Sequence, residues 1–356
     1  MERSKSSIPF VGLHAHSVAG SVFDGFGYPQ DHMDYAYENG MSALALTDHG
    51  NMNGLPYQVL HAKKMKSQGK DFKPIFGVEA YFVPSIKEWK KEYDQAKTDK
   101  KKARSLSTDD KVAAEDEDES KAKTKNKINA RRHLVLVAQN QTGLNNIFKI
   151  VSTTHQGDNF YRYPRLDYDL LEKYGEGVIA SSACLGGVYA GDYWDNLDAG
   201  EEAILDAMRN TTHRMTSILG DRWFGELQWN NVPAQHALNK YVIQMAEEFD
   251  IPLISTADSH YPSPEAWKDR ELYKRLGWLG KKQPEYLKSE LPIDIDEMGM
   301  ELYPKNGDQM WAAYKKYSEE CGVTYDDDLV HDSLVKTHWI AHEMIEDFKY
   351  SGCFFP

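Results

Sequence analysis

The sequence predicts an α/β fold built on a parallel sheet, either open and doubly wound or closed into a barrel. Three observations point there. Short β-branched or apolar runs alternate with helix-like stretches along most of the chain. Metal-ligand-type side chains recur at the ends of those runs. At 356 residues the chain is long enough to bury a full core as one large domain with an extension.

The strand-like runs come in order as "FVGLH", "SALALTDHG", "KPIFGVEAYF", "HLVLVAQN", "GVIASSACLGG", "WFGELQ" and "IPLISTADSHY". Each is short, apolar or β-branched, and bounded by turn-forming residues. Between many of them lie amphipathic stretches that read as helices: "PQDHMDYAYENG", "LPYQVLHAKKMKSQG", "QTGLNNIFKIVSTTH", "AGEEAILDAMRNTTHRMTSILG" and "AQHALNKYVIQMAEEFD". Residues 86–132 break the pattern with 15 Lys/Arg and 11 Asp/Glu in 47 positions. Such a segment is too polar to fold alone and reads as a flexible charged insertion. Its basic end, "KAKTKNKINARR", is a candidate contact for nucleic acid. Beyond residue 285 the alternation stops, and an acidic, helical extension runs from 286 to "YSGCFFP" at the end.

Composition narrows the function classes. A hydrophobic content of 41% and 12% aromatics fit a globular protein, and no apolar run reaches the length of a membrane span. The start, "MERSKSSIPF", lacks the apolar core of a signal peptide, which favours a cytoplasmic protein. Cys184, Cys321 and Cys353 are odd in number and far apart, which argues against a disulfide framework and leaves a thiol free to bind metal. The net charge of −13 argues against a broad basic nucleic-acid surface, though not against a local site. No phosphate-binding G-x-x-x-x-G-K-[ST] loop is present.

The strand ends carry the chemistry. The first strand delivers His14 and His16, with Asp24 in the loop beyond; the second ends in Asp48 and His49, and the third carries Glu79. His133 opens the fourth, Cys184 closes the fifth, and Asp258 and His260 close the seventh. Residues at i and i+2 of a strand share a face, so His14/His16 and Asp258/His260 form two pairs on the first and last strands, as in a barrel whose ends meet. Five imidazoles, two or three aspartates, a glutamate and a thiol exceed one tetrahedral zinc site. They suit two or three Zn²⁺ or Mn²⁺ ions bridged by carboxylates. Asp48 reads as an orienting partner rather than a ligand. His338 and His342, spaced i,i+4 in "HWIAHEMIE", lack the H-E-x-x-H order and read as a solvated helix face.

The segments "GLHAHS…FDG", "ALALTDHGNMNG", "GVEAYFV", "HLVLVAQNQTGLNNI", "YPRLD…SSACLGG" and "AEEFDIPLISTADSHY" together resemble the polymerase-and-histidinol-phosphatase (PHP) domain. The version resembled is the one at the N-terminus of bacterial DNA polymerase III alpha subunits, over roughly Pro9 to Tyr261. That resemblance implies a distorted (β/α)7 TIM-like barrel over 1–285, followed by a helical extension (286–356) leading toward a polymerase region. It implies a metal cluster held by His14, His16, Asp24, His49, Glu79, His133, Cys184, Asp258 and His260, with two to three divalent ions, Zn²⁺ or Mn²⁺ and optionally Mg²⁺.

In family terms the implied activity is metal-dependent phosphoester hydrolysis, of 3′–5′ exonuclease type, on DNA ends. Asp258 and His260 would be central to it, and Arg165 in "YPRLD" is a candidate phosphate clamp. The implied partners are DNA 3′ ends, a polymerase body or separately encoded polymerase half, and a proofreading subunit. No palm-type catalytic segment follows the barrel, so this chain alone is expected not to polymerise. The competing readings are a non-catalytic, metal-stabilised scaffold and a small-molecule phosphatase of the histidinol-phosphatase kind.

Overall fold

The computed structural model describes residues 4–106, 131–277 and 300–348. Its strands are β1 (Ala43–Leu46), β2 (Lys73–Phe82), β3 (Arg132–Ala138), β4 (Phe160–Tyr161), β5 (Tyr163–Leu166), β6 (Val178–Ser181), β7 (Trp223–Gln228) and β8 (Leu253–Thr256). They form one mixed, curled sheet in which β1, β2, β3, β6, β7 and β8 pair in that order. The run "FVGLH" is not a regular strand, but it closes the ring. Gly12 bridges Leu44 of β1, and Ala15 bridges Ser259 just beyond β8. Four backbone hydrogen bonds of 2.7–3.1 Å secure both seams: Ala45 and Thr47 donate to Gly12 and Ala15, and His16 and Ser259 donate to Ser259 and His14. Seven segments therefore surround one interior, as a distorted α/β barrel with a helical extension.

Two expectations change. The sheet is not all parallel, because β3 runs antiparallel to both β2 and β6. Hydrophobic periodicity reports which residues are buried but not the direction of a strand, so the reversal left no trace in the pattern. Its consequence is direct: β2 ends and β3 begins at the same rim of the barrel, so the charged insertion leaves and returns there. The first part of that insertion is also not a flexible loop. It is a helix, Ile86–Leu106, whose Ile86 and Trp89 are buried with Val83. Two apolar side chains on one face, packed on Val83, suffice to dock it. Residues 107–130, including most of the basic stretch, lie outside the described residues. A short β4–β5 hairpin, not foreseen, extends the far end of β2 through Tyr81 and Phe82.

Both faces of the barrel strands are buried, so alternation here separates an inner from an outer apolar layer. Ala43, Ala45, Ile75, Val135, Val137, Ile179, Phe224 and Ile254 fill the interior. Leu44, Phe76, Val78, Leu134, Leu136, Val178 and Leu253 face the surrounding helices. The inner stripes continue upward, two residues at a time, into polar positions: Ile75 to Glu79, Val135 to His133, Phe224 to Glu226 and Ile254 to Asp258.

The described part of the extension belongs to this core. Helices Gly307–Glu320 and Asp327–Trp339 lead into a π-helical turn, Ile340–Met344. Ile340, Ala341 and Ile345 close the barrel interior from the end opposite the ligands. Hydrogen bonds from Val11 N to Thr337 Oγ1 (3.0 Å), from Lys73 Nζ to Ile345 O (2.6 Å) and from Glu346 N to Gln139 O (2.8 Å) hold the plug in place. The same extension pins the ligand end, where the backbone N–H of His260 donates to Leu302 O at 2.7 Å. His338 is half-buried and His342 exposed, as a solvated helix face requires; their rings pack at 4.4 Å and His342 Nε2 lies 2.7 Å from Ser42 Oγ.

Because Ile340 is fully buried beneath the barrel, Ile340→Ala is expected to destabilise the protein by about 2–5 kcal/mol. Urea unfolding followed by circular dichroism measures this; a loss below about 0.5 kcal/mol would mean the plug contributes little.

Candidate metal centre

The nine predicted ligands converge at one rim of the barrel. Glu79 lies at their centre, buried to 0% exposure. Its Oε1 is 2.6 Å from His133 Nδ1 and 3.7 Å from His14 Nε2. Its Oε2 is 2.7 Å from His49 Nδ1 and 3.4 Å from His16 Nε2. Asp258 Oδ1 stands 3.2 Å from Nε2 of both His14 and His16. Asp24 Oδ2 is 3.0 Å from His49 Nε2 and 3.5 Å from His260 Nε2. Cys184 Sγ completes the far side, 3.6 Å from His133 Nδ1. His133 reaches the cluster only because β3 is reversed, which brings the start of that strand to the rim where the others end.

Backbone strain aims three of these groups. Five non-glycine residues among those described have positive φ. Of these, Asp258 (47°) is itself in the cluster, while Phe23 (64°) and Ala183 (60°) immediately precede Asp24 and Cys184. Each such conformation costs roughly 1–3 kcal/mol and persists only where its surroundings hold it.

The donor set fits divalent cations. His14 Nε2, His16 Nε2, His49 Nδ1, both Glu79 oxygens and Asp258 Oδ1 are buried without a well-directed hydrogen bond, and they face one another at ion-pair distances. Leaving so many buried polar atoms unsatisfied is costly unless a cation takes their lone pairs. Three overlapping groups have ligand atoms within 4.8 Å of one another: His14/His16/Glu79, His49/Glu79/His133 and His16/His49/His260. Glu79, His16 and His49 are each shared by two of them, as bridging or neighbouring ligands would be.

Electrostatics agree. Burial lowers the His14 pKa, but the Asp258 and Glu226 carboxylates more than reverse this and hold it well above the ordinary value. Burial likewise opposes the His49 charge, and Glu79 and Asp24 outweigh it. His16 goes the other way, down to about 3, through burial and the neighbouring charges of His49 and His260. Burial would raise the Glu79 pKa, yet His133 and His49 pull it well below the carboxylate range. Burial and the nearby Asp258 and Glu79 charges push the Cys184 thiol up. A bound cation would reverse that preference and favour the thiolate.

Two orienting residues were missed. Glu226 accepts hydrogen bonds from His14 Nδ1 (2.7 Å), Thr256 Oγ1 (2.6 Å), Gln228 Nε2 (3.1 Å) and Ser181 Oγ (2.5 Å). It fixes the tautomer that turns His14 Nε2 toward the cluster. A lone glutamate inside the apolar strand "WFGELQ" was the available signal, since a buried charge needs partners. Arg270 donates from Nη2 to Asp24 Oδ1 at 2.6 Å and from Nε to Asp24 O at 2.9 Å. Nothing in its charged helix marked it. Asp48 accepts from Ser17 N (2.7 Å), Ser17 Oγ (2.9 Å) and Ser21 Oγ (2.9 Å), and Ser21 Oγ in turn lies 3.3 Å from His16 Nδ1.

Arg165 requires correction. It is fully buried in the hairpin, donates from Nη1 to the carbonyls of Tyr161 (2.8 Å) and Tyr163 (3.1 Å), and lies 4.1 Å over the Trp89 ring. Those contacts tie the insertion helix to the hairpin and do not suit a phosphate clamp.

Glu226→Gln is expected to weaken metal binding by roughly 10–100-fold, measured by competition with a chromogenic chelator. Metal binding should also depend on pH. The raised His14 and His49 pKa values mean that protons occupy these rings at neutral pH, and a cation must displace them. Proton-linked stabilisation of the metal-free protein is therefore full below pH ~6.5 and is lost as pH rises through the folded pKa values. Metal affinity moves oppositely, rising about tenfold per pH unit for each displaced proton. Proton release on adding Zn²⁺ or Mn²⁺ in weak buffer tests this, and no release would contradict it.

The chain is similar to known proteins. Residues 12–228 match the PHP domain as a family. The DNA polymerase III subunit alpha of Aquifex aeolicus is 35% identical over 256 residues, which is 72% of this chain and 18% of that protein. The same subunit of Borreliella burgdorferi is 28% identical over 310 residues, 87% of this chain and 22% of that protein. The chain thus spans about a fifth of the length of these relatives. A solved structure from Bifidobacterium adolescentis, described as a candidate metal-dependent phosphoesterase, overlaps loosely, with a TM-score of 0.40 at 13% identity over 73% of this chain and 91% of that one. With the PHP match covering most of the barrel and all nine expected ligands gathered at one rim, the chain belongs to the PHP domain family.

Proposed function

We propose that this chain is a metal-dependent phosphoesterase, a 3′–5′ exonuclease-type module of a DNA polymerase III alpha-like replication protein. One observation carries the reading: the convergence of unpartnered, buried His, Glu and Asp atoms around Glu79. A purely structural core would satisfy those groups internally rather than leave their lone pairs facing one space. The three overlapping groups suit two or three Zn²⁺ or Mn²⁺ ions, with Mg²⁺ a weaker match for so many imidazoles.

Cations held there would supply positive charge for phosphoryl oxygens and lower the pKa of an attacking water. The chain's own residues do the positioning. Glu79 sets the spacing between the groups, and Glu226 keeps the His14 ring in one tautomer. His260 Nδ1, 2.7 Å from the Asp258 carbonyl, directs its Nε2 toward Asp24. Asp24 has the most open carboxylate, with 38% of its side chain exposed, and marks the side from which a substrate phosphate would approach. The interior below is apolar and plugged, which confines water to that open side. The setting proposed is cytoplasmic, with DNA ends as substrate and a polymerase body and proofreading subunit as partners. No helix among the described residues is long and apolar enough to cross a membrane.

The Mn²⁺-loaded chain should release nucleotides from a 3′-ended single-stranded oligonucleotide. The Asp258→Ala/His260→Ala variant should be slower by roughly a hundredfold or more. Equal rates for the two would refute catalysis and favour a scaffold, whereas cleavage of a phosphate monoester but not of DNA would favour a small-molecule phosphatase.

A further inference from the structure

The loop carrying Asp24 has a feature the metal site does not explain. Phe23 precedes this ligand with φ 64° and an exposure of 48%, beside Val22 at 59%. A phenylalanine there is unfavourable twice over: its backbone sits in the left-handed region, where glycine is at ease, and its ring is half in water. Yet a seat is built for it. Helix Trp267–Leu276 presents Arg270, Tyr273 and, at its C-cap, Gly277 along one face. Arg270 grips the Asp24 carboxylate at 2.6 Å, and the Tyr273 ring lies against Phe23 at 5.3 Å with 30° between planes. At Gly277 a Cβ would come within 2.8 Å of the Phe23 Cβ, so that glycine makes room for the ring. One helix face thus fixes a metal-facing carboxylate and a projecting aromatic on consecutive residues, with Cα atoms about 3.8 Å apart.

We propose that Phe23 is the stacking platform for the base of the terminal, unpaired nucleotide of a single-stranded DNA end. The identity of this ligand rests on the phosphoesterase reading. A base on the Phe23 ring sets its phosphate beside Asp24, at the open edge of the cluster near His49 and His260. Stacking of this kind is tolerant of base identity, because every base has a π face. It selects a frayed or single-stranded end over a paired one, since a paired terminal base is stacked within its own duplex.

The test uses Phe23→Gly and Phe23→Trp in the full chain, Mn²⁺-loaded. The probe is a single-stranded oligonucleotide with 2-aminopurine at its 3′ end, flanked by an abasic residue so that no neighbouring base quenches it. A terminal phosphorothioate slows cleavage during the measurement. Wild type and Phe23→Trp should quench the fluorophore on binding. Phe23→Gly should not, and its affinity should fall roughly fivefold to a hundredfold. Because glycine relieves the backbone, Phe23→Gly should melt at the same or a higher temperature, which a merely structural role for the ring would not allow. Quenching retained by Phe23→Gly, or absent from the wild type, overturns the proposal. Ring-dependent quenching with no cleavage of the unmodified oligonucleotide would support stacking while refuting the phosphoesterase reading.

Discussion

A single buried carboxylate amid four imidazoles is the constraint on which this structure depends. Glu79 has no contact with water, and ionising it there costs several kcal/mol unless opposite charge surrounds it. His133, His49 and His14 supply that surrounding, and they come from three separate segments of the ring. The barrel must therefore close before the charge at its rim is compensated. Without a cation the compensation comes from protons on His14 and His49; with one, the cation takes their place. Folding and the proposed cation binding would draw on the same side chains.

The rest of the architecture serves that arrangement. Reversal of β3 lets a strand-opening histidine join strand-closing ligands, and it hangs the charged insertion from the same rim. The extension is a clamp at both ends of the barrel, filling the interior with Ile340, Ala341 and Ile345 and holding the His260 loop through Leu302. Strained backbone at Phe23, Ala183 and Asp258 is tolerated because packing and ion pairs around the cluster determine those positions. Arg270, bonded to both the carbonyl and the carboxylate of Asp24, is the clearest such support.

Much of this was legible in the sequence because metal ligands are chemically distinctive and strand periodicity predicts their faces. His133 and Glu79 continue inner apolar stripes within their strands, as a two-residue period requires. What escaped was whatever lacks a spacing signature. Strand direction does not alter the apolar pattern, so β3 was read as parallel. Glu226 is a single acid in a single strand, and only the three-dimensional ring shows that His14 needs it. Arg165 went the other way: a tidy motif suggested a phosphate clamp, but its guanidinium is held by the Tyr161 and Tyr163 carbonyls and the Trp89 ring. The insertion helix was hidden by composition, because two buried side chains near its start, Ile86 and Trp89, dock a segment whose remainder is charged.

The central claim is that the rim of this barrel is built to hold a cluster of cations around Glu79. Native mass spectrometry of the intact chain, after loading with Zn²⁺ or Mn²⁺ and removal of excess metal, tests it most directly. The account predicts two or three equivalents retained by the wild type and at most one by Glu79→Gln. A folded wild-type chain that retains none would contradict it.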